Sequence, residues 1–225
     1  MNILIVSATS FEIAPLLRFL DNSAEKLSFF EYSFNGHNIY PLVTGVGALN
    51  TAFGMARYKA MEDVGVVFNV GLAGSYSNKF KIGDVVEVMK DRFADLGVEE
   101  NDGSFTDLFD LNLIDKLQYP YADGWIISSK PKYNTGLPKA VGLTVNKVNG
   151  CIESIQKIRS KYDADIESME GAGFLYACRN MDVPCHSIRA ISNMVEPRNK
   201  ENWKIELAID NLNNELIRLL KNSVI

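Results

Sequence analysis

The 225-residue chain has few of the residues that build metal and thiol sites. Its two histidines, His37 and His186, lie far apart, and the three cysteines, Cys151, Cys178 and Cys185, lack metal-type spacing. We therefore expect neither a zinc site nor a Ser-His-Asp triad, and we predict no metal and no cofactor. An odd cysteine count without a signal peptide indicates reduced thiols, which predicts a cytoplasmic protein.

Long hydrophobic runs and clusters of basic residues are also missing. No run approaches the ~20 apolar residues of a membrane span, so no membrane partner is expected. The net charge is −5 and the lysines and arginines are scattered, which argues against binding of nucleic acid. The apolar fraction of 47% is ordinary for a globular protein, and the length predicts one domain over residues 1–225.

Apolar runs alternate with segments of helical spacing. The predicted strands are 2–6, 38–43, 65–70, 84–89, 139–145, 164–167 and 184–192, and residues 97–124 show no clear pattern. Helices are predicted after Ser10, which we expect to cap the first, and at 47–62, 151–161, 169–180 and 200–220. This alternation predicts an α/β fold, a three-layer α/β/α sandwich with a mostly parallel, twisted central sheet.

Polar side chains interrupt the otherwise apolar segment 166–203 in two clusters. They are Glu167, Ser168 and Glu170 at an apparent helix start, and Arg189, Ser192 and Asn193 at the end of the next strand. In α/β folds, strand ends and helix starts face the ligand crevice. The two clusters therefore predict a site for a small, hydroxyl-rich molecule.

Glu12 follows the first predicted strand. A carboxylate at that place can face the crevice and activate a water molecule as a general base. An acid favoured by the macrodipole at a helix N-terminus is the other interpretation.

Two glycine-rich segments also follow strands, Thr44–Gly47 and Gly71–Ser75, and both are interpreted as turns. Glycine allows the backbone to approach a ligand closely, which makes Gly74 a candidate binding residue. Neither segment matches the dinucleotide or the triphosphate fingerprint. Tight strand-to-helix turns would explain the same glycines.

A carboxylate at Glu170 can accept two hydrogen bonds from the vicinal hydroxyls of a ribose. Met169 beside it offers a soft apolar surface for a sugar or a base. Arg189 would fix the carboxylate by pairing with it. The alternatives are an ordinary acidic helix start and an unrelated surface ion pair.

Four segments together resemble the purine nucleoside phosphorylase and nucleosidase family. They are the first strand with Glu12, NVGLAGS at 69–75 followed by KIGDVV at 81–86, ESMEGAG at 167–173, and IRAISN at 188–193. Within that family the chain is similar to the methylthioadenosine/S-adenosylhomocysteine nucleosidases and most similar to the futalosine hydrolases of menaquinone biosynthesis. GLTVNKVNG at 142–150 and ISNMVEPRNKENW at 191–203 carry this second likeness.

The resemblance implies a role for each matching residue. Glu12 would activate the hydrolytic water, Glu170 would hold the ribose 2′ and 3′ hydroxyls above Met169, and position 193 would contact the purine N7. Ser192 and Arg189 would support that group and Glu170. The resemblance also implies a purine nucleoside as the ligand, and a homodimer.

Four further positions are predicted around the pocket. Val148, Phe174 and Trp203 are expected on its apolar side, because Trp203 follows a polar loop of the kind that often covers a site. Arg198 in that loop could meet an acidic 5′ substituent, such as the benzoate of futalosine. A solvated basic residue is the alternative for Arg198.

Asn193 departs from the adenine-cleaving nucleosidases, which have an aspartate there. An amide NH₂ suits N7 and O6, both acceptors, as in hypoxanthine, whereas a protonated aspartate suits N7 and an adenine 6-amino group. A mispaired buried polar group costs ~1–3 kcal/mol, so Asn193 predicts a 6-oxopurine nucleoside such as futalosine. It would act by hydrogen bonding to the leaving group, without itself giving up a proton.

Hydrolysis is favoured over phosphorolysis. A phosphate site would need arginines or a glycine nest, but the first-strand turn at 7–10 has no basic residue and lies near the anionic Glu12. The sequence thus predicts an N-ribosyl hydrolase that acts on futalosine and releases hypoxanthine. The alternatives are a methylthioadenosine/S-adenosylhomocysteine nucleosidase that releases adenine and a non-catalytic nucleoside-binding protein.

Overall fold

The computed structural model describes residues 1–58, 61–129 and 132–222. The strands are β1 (Asn2–Ser7), β2 (Glu25–Ser28), β3 (Glu31–Phe34), β4 (His37–Val43), β5 (Val64–Ser75), β6 (Val85–Asp91), β7 (Gly97–Glu99), β8 (Phe105–Asp107), β9 (Tyr121–Ala122), β10 (Trp125–Ile127), β11 (Lys139–Thr144), β12 (Ile166–Ser168) and β13 (Cys185–Met194). The α-helices are α1 (Ala14–Ser23), α2 (Ala48–Ala56), α3 (Ile152–Lys161), α4 (Gly171–Asn180) and α5 (Ile205–Lys221).

The main sheet is mixed, so the expected predominance of parallel pairing is not confirmed. Strand β1 pairs in parallel with β4 and β5, and β13 pairs in parallel with β5. Antiparallel pairs join β12 to β5, β13 to β6, and β10 to β6. Strands β2 and β3 add a further antiparallel edge beside β4. The α/β nature of the fold is as predicted.

Two helical layers cover the sheet. Successive residues of β1 point to opposite faces, as in any strand. Ile3 and Ile5 pack with α1 and α5, whereas Leu4 and Val6 pack with α2 and α4. Both sets are almost fully buried. Apolar residues on both faces of the strand therefore explain why it appears in the sequence as one continuous hydrophobic run.

Five strands close into a small barrel at one end of the sheet. Strand β5 pairs with β13, β13 with β6, β6 with β11, β11 with β12, and β12 again with β5. The side chains that fill its interior include Ala73, Val86, Ala140, Ile166 and Ile191. Since side chains alternate along a strand, Glu167 points outward from this barrel, and Gly74 occupies an outward-facing position of β5. The outer surface of the barrel forms one wall of the site described below.

Strand β5 is longer than the predicted strand 65–70. Residues 71–75, interpreted above as a turn, continue β5 and pair with β12 and β13, so that interpretation is wrong. The glycines there leave room for neighbouring side chains to approach the strand closely. A glycine-rich composition is equally typical of a turn, so the sequence alone does not distinguish the two. The other glycine segment, 44–47, does form a turn before α2.

Three predicted helix ends are corrected. Ser10 does not cap α1, whose N-cap is Ile13. Helix α2 ends at Ala56, short of the predicted 62, and residues 59 and 60 of that prediction lie outside the described part. The predicted helix 200–220 is a 3₁₀ turn, Lys200–Asn202, followed by α5. Lys204 interrupts it because its amide donates to the Ser192 carbonyl at 2.8 Å, a tertiary hydrogen bond.

Candidate active site

A cavity of about 190 Å³ lies where β1, β5, β12 and β13 end. Most of the predicted site residues line it, although they come from distant parts of the chain. These are Glu12, Gly74, Val148, Met169, Glu170, Ser192, Asn193 and Trp203. Its position at strand ends agrees with the placement expected for ligand crevices in α/β folds.

Glu12 lies in the turn between β1 and α1, and neighbouring donors hold its carboxylate in place. Oε2 accepts from the Thr9 amide at 3.0 Å, the Thr9 hydroxyl at 2.9 Å and the Ser7 hydroxyl at 3.2 Å. Oε1 accepts from the Leu72 amide at 3.3 Å. Glu12 thus precedes the helix, and its carboxylate bridges the ends of β1 and β5 on the cavity wall. This geometry favours the catalytic interpretation over that of a solvated helix-start acid.

The backbone around Glu12 is also held in place. Asn213 of α5 donates to the Glu12 carbonyl at 2.8 Å and accepts from the Leu16 amide at 3.0 Å. A side chain at position 71 would place its Cβ 2.9 Å from Glu12 Oε1, so glycine there leaves room for the carboxylate in this position. These contacts fix the turn that carries the carboxylate.

Glu170 immediately precedes α4 and is mostly buried. Its Oε1 accepts from the Gly47 amide at 3.0 Å. Gly47 has φ of +100°, a conformation that glycine adopts without strain. The turn at 44–47 therefore brings a backbone donor to the carboxylate. Burial raises the pKa of Glu170, and the nearby Glu12 adds to the rise, whereas Arg189 and the Gly47 amide oppose it.

Arg189 is buried beneath the cavity and is not a surface residue. Its guanidinium donates to the backbone and side-chain oxygens of Asn69 and to its neighbouring carbonyl, Ile188 O. The guanidinium interacts electrostatically with the nearby carboxyl groups of Glu170, Asp91 and Glu12. The predicted support of Glu170 is consequently a field effect of a nearby cation, because the direct hydrogen bonds go to Asn69.

The start of α4 is capped by Thr144, the last residue of β11. The Ala172 amide donates to Thr144 Oγ1 at 2.6 Å, and that hydroxyl donates to Asp91 Oδ1 at 2.8 Å. Glu170 occupies the N-cap position without capping its own helix. Thr144 therefore does the work of an N-cap side chain, which leaves the Glu170 carboxylate free to face the cavity.

Asn193 has a defined orientation at the end of β13. Its Nδ2 donates to the Met194 carbonyl at 2.9 Å, and its Oδ1 accepts from the Ser192 hydroxyl at 2.9 Å. A carbonyl only accepts, so the atom facing Met194 must be the NH₂ group. A Cβ at position 74 would lie 3.1 Å from this nitrogen, so Gly74 gives the amide room. One N–H remains for a ligand.

A second, larger cavity of about 650 Å³ adjoins the first, with Trp203 and Ile205 common to both. Its lining includes the basic residues Arg198, Lys200 and Lys204. The Arg198 guanidinium lies 5.4 Å from the centre of the Trp203 ring. Arg198 therefore does not line the first cavity but lies beside its mouth.

Phe174 is not brought to the cavity, which corrects its predicted place on the apolar wall. It is fully buried in the core cluster that α2 and α4 form with the sheet. On α4, residue 174 lies one turn beyond Glu170, where the helix faces the sheet. Helical spacing alone does not tell a core aromatic residue from one in a pocket.

Comparison with known proteins identifies the family of this chain. A family model described as the phosphorylase superfamily matches residues 2–223. The chain belongs to the phosphorylase superfamily. It is 31% identical to the futalosine hydrolase of Thermus thermophilus over 222 residues, which cover 96% of this chain and 94% of that protein.

Solved structures share the fold over nearly the whole chain. The futalosine hydrolase of Helicobacter pylori superposes with a TM-score of 0.79 at 18% identity, covering 99% of this chain and 98% of that one. The methylthioadenosine/S-adenosylhomocysteine nucleosidase of the same organism gives a TM-score of 0.79 at 17% identity, with the same coverage. Its structure is a complex with a substituted pyrrolidin-3-ol.

The sequence did not assign a role to every residue that lines the cavity. Glu167 lines the cavity through a buried carboxylate, and Tyr76 and Asn149 donate to its Oε2. Burial raises the pKa of Glu167, whereas those two donors oppose the rise. The sequence analysis placed Glu167 in a polar cluster expected at the site and at the end of a predicted strand, but gave it no role of its own. The alternation of Ile166 and Glu167 in a short strand was the available signal.

Within the described residues, no cluster of three or more His, Cys, Asp or Glu side chains has metal-binding geometry. Of the helices in the same residues, none is long and apolar enough to cross a membrane.

Proposed function

We propose that this protein is an N-ribosyl hydrolase that cleaves the purine–ribose bond of futalosine and releases hypoxanthine. The observation that supports this most is that Glu12, Glu170 and Asn193 line one cavity. A water-activating carboxylate, a ribose-binding carboxylate and a base-binding amide are the three functions the reaction needs. The likeness to known futalosine hydrolases supports the choice of substrate.

The proposed reaction proceeds through an oxocarbenium-like sugar. The base departs with the electrons of the glycosidic bond, and a water molecule adds to C1′ from the opposite face. Glu12 accepts a proton from that water. Because Thr9 and Leu72 fix its two oxygens, the carboxylate is oriented before substrate binds.

Asn193 is proposed to stabilise the departing base. Ser192 and Met194 hold its amide so that an N–H points into the cavity. That N–H can bind the N7 and O6 acceptors of hypoxanthine as negative charge develops on the ring. Full protonation of the base then comes from solvent or at another ring nitrogen.

Water is the proposed nucleophile in preference to phosphate. Among the described residues that line the cavity, Glu12, Glu167 and Glu170 are acidic and none is a lysine or an arginine. Three carboxylates would repel a phosphate dianion, and the guanidinium of Arg189 is occupied by Asn69. This favours a hydrolase.

The adjoining cavity is proposed to take the 5′ substituent of futalosine, which carries a benzoate. Arg198, Lys200 and Lys204 outnumber the one acidic residue, Glu206, in the described lining of this cavity. Trp203 offers an aromatic surface at its junction with the first cavity. Arg198→Ala should raise the KM for futalosine and leave that for inosine unchanged. The same substitution at Arg18, an exposed residue of α1, is the control. Equal effects on both substrates would count against a carboxylate contact.

The proposal includes a cytoplasmic, single-domain homodimer active in menaquinone biosynthesis. Val46, Leu49 and Phe53 are all about half or more exposed and recur at helical spacing around α2. Since Val46 also lines the cavity, a second copy docked on this face would lie beside the site.

Base release measured by HPLC tests the function directly. The substrates are futalosine, aminodeoxyfutalosine, methylthioadenosine and inosine, each with and without phosphate. We expect phosphate-independent release of hypoxanthine from futalosine with the highest kcat/KM. Preference for methylthioadenosine would support the adenine-releasing alternative, phosphate dependence would indicate a phosphorylase, and binding without turnover would indicate a nucleoside-binding protein.

A further inference from the structure

We infer that Asp91 and Thr144 are positioning residues that set how strongly the site distinguishes a ribonucleoside from its 2′-deoxy analogue. They act through Glu170, so the inference rests on the proposed function, which gives that carboxylate the ribose hydroxyls. Neither residue is among the described residues that line the cavity, and the mechanism above uses neither. Both are about 1% exposed, and polar groups buried to that degree need specific partners.

The first two amides of α4 are bound by side chains of β11 and β12. The Gly171 amide donates to Ser168 Oγ at 3.4 Å, and the Ala172 amide donates to Thr144 Oγ1 at 2.6 Å. Ser168 and Thr144 are register partners, so their side chains point to the same face of the sheet. The side chain at the N-cap usually accepts such a hydrogen bond. In α4 that residue is Glu170, which the two strands relieve of this role.

The Glu170 carboxylate therefore has two competing uses, and Thr144 determines which of them prevails. Ala172 is fully buried, so without the Thr144 hydroxyl its amide would be an unpaired donor out of reach of water. The side chain at the N-cap is the usual acceptor for such an amide, and here it is the Glu170 carboxylate. A carboxylate drawn to its own helix turns away from the ribose. With Thr144 in place, Glu170 accepts from the Gly47 amide and lines the cavity.

Asp91 fixes the direction in which the Thr144 hydroxyl points. A hydroxyl has one hydrogen, and Thr144 donates it to Asp91 Oδ1 at 2.8 Å, which leaves an oxygen lone pair for the Ala172 amide. The Arg92 amide donates to the same Oδ1 at 2.7 Å. Because two donors already face Oδ1, a proton bound by Asp91 resides on Oδ2. The oxygen that faces Thr144 thus remains an acceptor whether or not Asp91 is ionised.

Two glycines make room for the Asp91 carboxyl group beneath α4. A Cβ at position 142 would lie 2.5 Å from Asp91 Oδ2, and a Cβ at position 171 would lie 2.1 Å from the same atom. Gly142 belongs to β11, the strand that supplies the cap, and Gly171 is the first residue of the helix that receives it. The carboxyl group is therefore packed between the two elements whose relative position it controls.

Thr144→Val tests the inference, because valine keeps the shape of the side chain and removes the cap. We expect the ratio of kcat/KM for futalosine to kcat/KM for 2′-deoxyfutalosine to fall roughly ten-fold or more, since Glu170 no longer holds the 2′-hydroxyl. Inhibition by hypoxanthine, which has no ribose, should be unchanged. Thr144→Ser keeps the hydroxyl and should retain the wild-type ratio. Thr106→Val, on β8 and outside the described lining of the cavity, is the matched control.

A double-mutant cycle shows whether Thr144 acts through Glu170. In a Glu170→Ala background the contact to the 2′-hydroxyl is already absent, so adding Thr144→Val should lower the ratio no further. If the two reductions multiply instead, Thr144 acts by a separate route and the inference is overturned.

Two substitutions of Asp91 separate its hydrogen bonds from its charge. Asp91→Asn and Asp91→Ala both remove the charge that interacts with Arg189 and Glu170, but only asparagine keeps an acceptor for Thr144 and the Arg92 amide. Asp91→Asn should therefore retain most of the wild-type ratio, and Asp91→Ala should reduce it in the same direction as Thr144→Val. Equal ratios in the two variants would overturn the positioning role of Asp91.

The outcomes distinguish this inference from the proposed function. An unchanged ratio in Thr144→Val, or a loss of hypoxanthine inhibition as large as the loss of futalosine cleavage, would overturn the inference and leave the hydrolase assignment standing. If Thr144→Val does not fold, the comparison of Asp91→Asn with Asp91→Ala gives the answer. No base release from any purine nucleoside by wild type would overturn the proposed function and, with it, the inference.

Discussion

Thr9 donates both its backbone amide and its hydroxyl to one oxygen of Glu12, at 3.0 and 2.9 Å. The backbone and the side chain of Thr9 thus both hold the Glu12 carboxylate in place. Ser7 adds a third donor to the same oxygen, while Leu72 reaches the other. Such pre-organisation reduces the rearrangement needed when water is activated.

Glu12→Gln should lose turnover and keep nucleoside binding, because an amide cannot accept the proton of the attacking water. Removal of a general base typically lowers kcat by ~10²–10⁴-fold. Single-turnover base release and hypoxanthine inhibition measure the two properties separately. Glu25→Gln, on the exposed strand β2, is a control for the charge change. Near-normal turnover in Glu12→Gln would refute the assignment.

Glu170→Ala should reduce both substrate affinity and rate, because ribose hydroxyl contacts tighten as the sugar flattens. The carboxylate has one backbone donor, Gly47, and its remaining acceptor capacity faces the cavity. The informative comparison pairs each substrate with its 2′-deoxy analogue. The variant should lose less on the deoxy substrate. Equal losses on both would remove the 2′-hydroxyl contact from the role of Glu170.

Asp91→Asn should change how stability depends on pH. Burial raises the pKa of Asp91 from 3.8 to about 7, although Thr144 and Arg189 oppose the rise. Between these values the folded protein holds a proton that the unfolded chain releases, so the Asp91 contribution to unfolding free energy falls as pH rises to about 7 and is constant above.

Denaturant unfolding at pH 5.5 and pH 8 measures this effect. One pKa unit corresponds to about 1.4 kcal/mol, so Asp91 should cost wild type about 2 kcal/mol more at pH 8 than at pH 5.5. The Asn variant lacks that difference while keeping an acceptor for Thr144. Wild type and variant with parallel pH dependence would show that Asp91 does not titrate in this range.

The sequence predicted seven of the strands that the described residues form, β1, β4, β5, β6, β11, β12 and β13, and several of the residues that line the cavity, because both depend on strong local signals. Continuous apolar runs identified β1 and β5, and polar residues at strand ends identified Glu170 and Asn193. What it missed depends on tertiary pairing. The barrel closure, the extension of β5 through residues 71–75, and the cap that Thr144 gives α4 all join distant segments.

Phe174 and Glu167 show the same limit in opposite directions. Both are close in sequence to Glu170. Phe174 was predicted to line the pocket, whereas Glu167 was given no role in it. The face of α4 that carries Phe174 packs against the sheet. The alternation of side chains along β12 places Glu167 on the side of the cavity. Neither outcome can be inferred without knowing which face of each element meets its neighbour.

The choice of base should depend on Asn193. The Met194 carbonyl fixes its NH₂ group, because a flipped amide would set two acceptor oxygens against each other there, and the Ser192 hydroxyl donates to its oxygen. The held orientation favours the two acceptors of a 6-oxopurine over the donor and acceptor of adenine.

Asn193→Asp should therefore weaken futalosine cleavage and improve action on the 6-amino substrate. An aspartate facing the Met194 carbonyl must be protonated to avoid two opposed oxygens, and its free oxygen can then accept from an adenine amino group. The measurement is kcat/KM for futalosine and aminodeoxyfutalosine in both proteins, with a change of roughly ten-fold or more expected in their ratio.

Ser192→Ala, which loosens the amide without changing its chemistry, should lower both values without inverting the preference. Preference of wild type for the 6-amino substrate, or a shift of the Asp variant further toward the 6-oxo one, would contradict base recognition by Asn193. The role of Glu12 would survive either result, because water activation does not depend on which base departs.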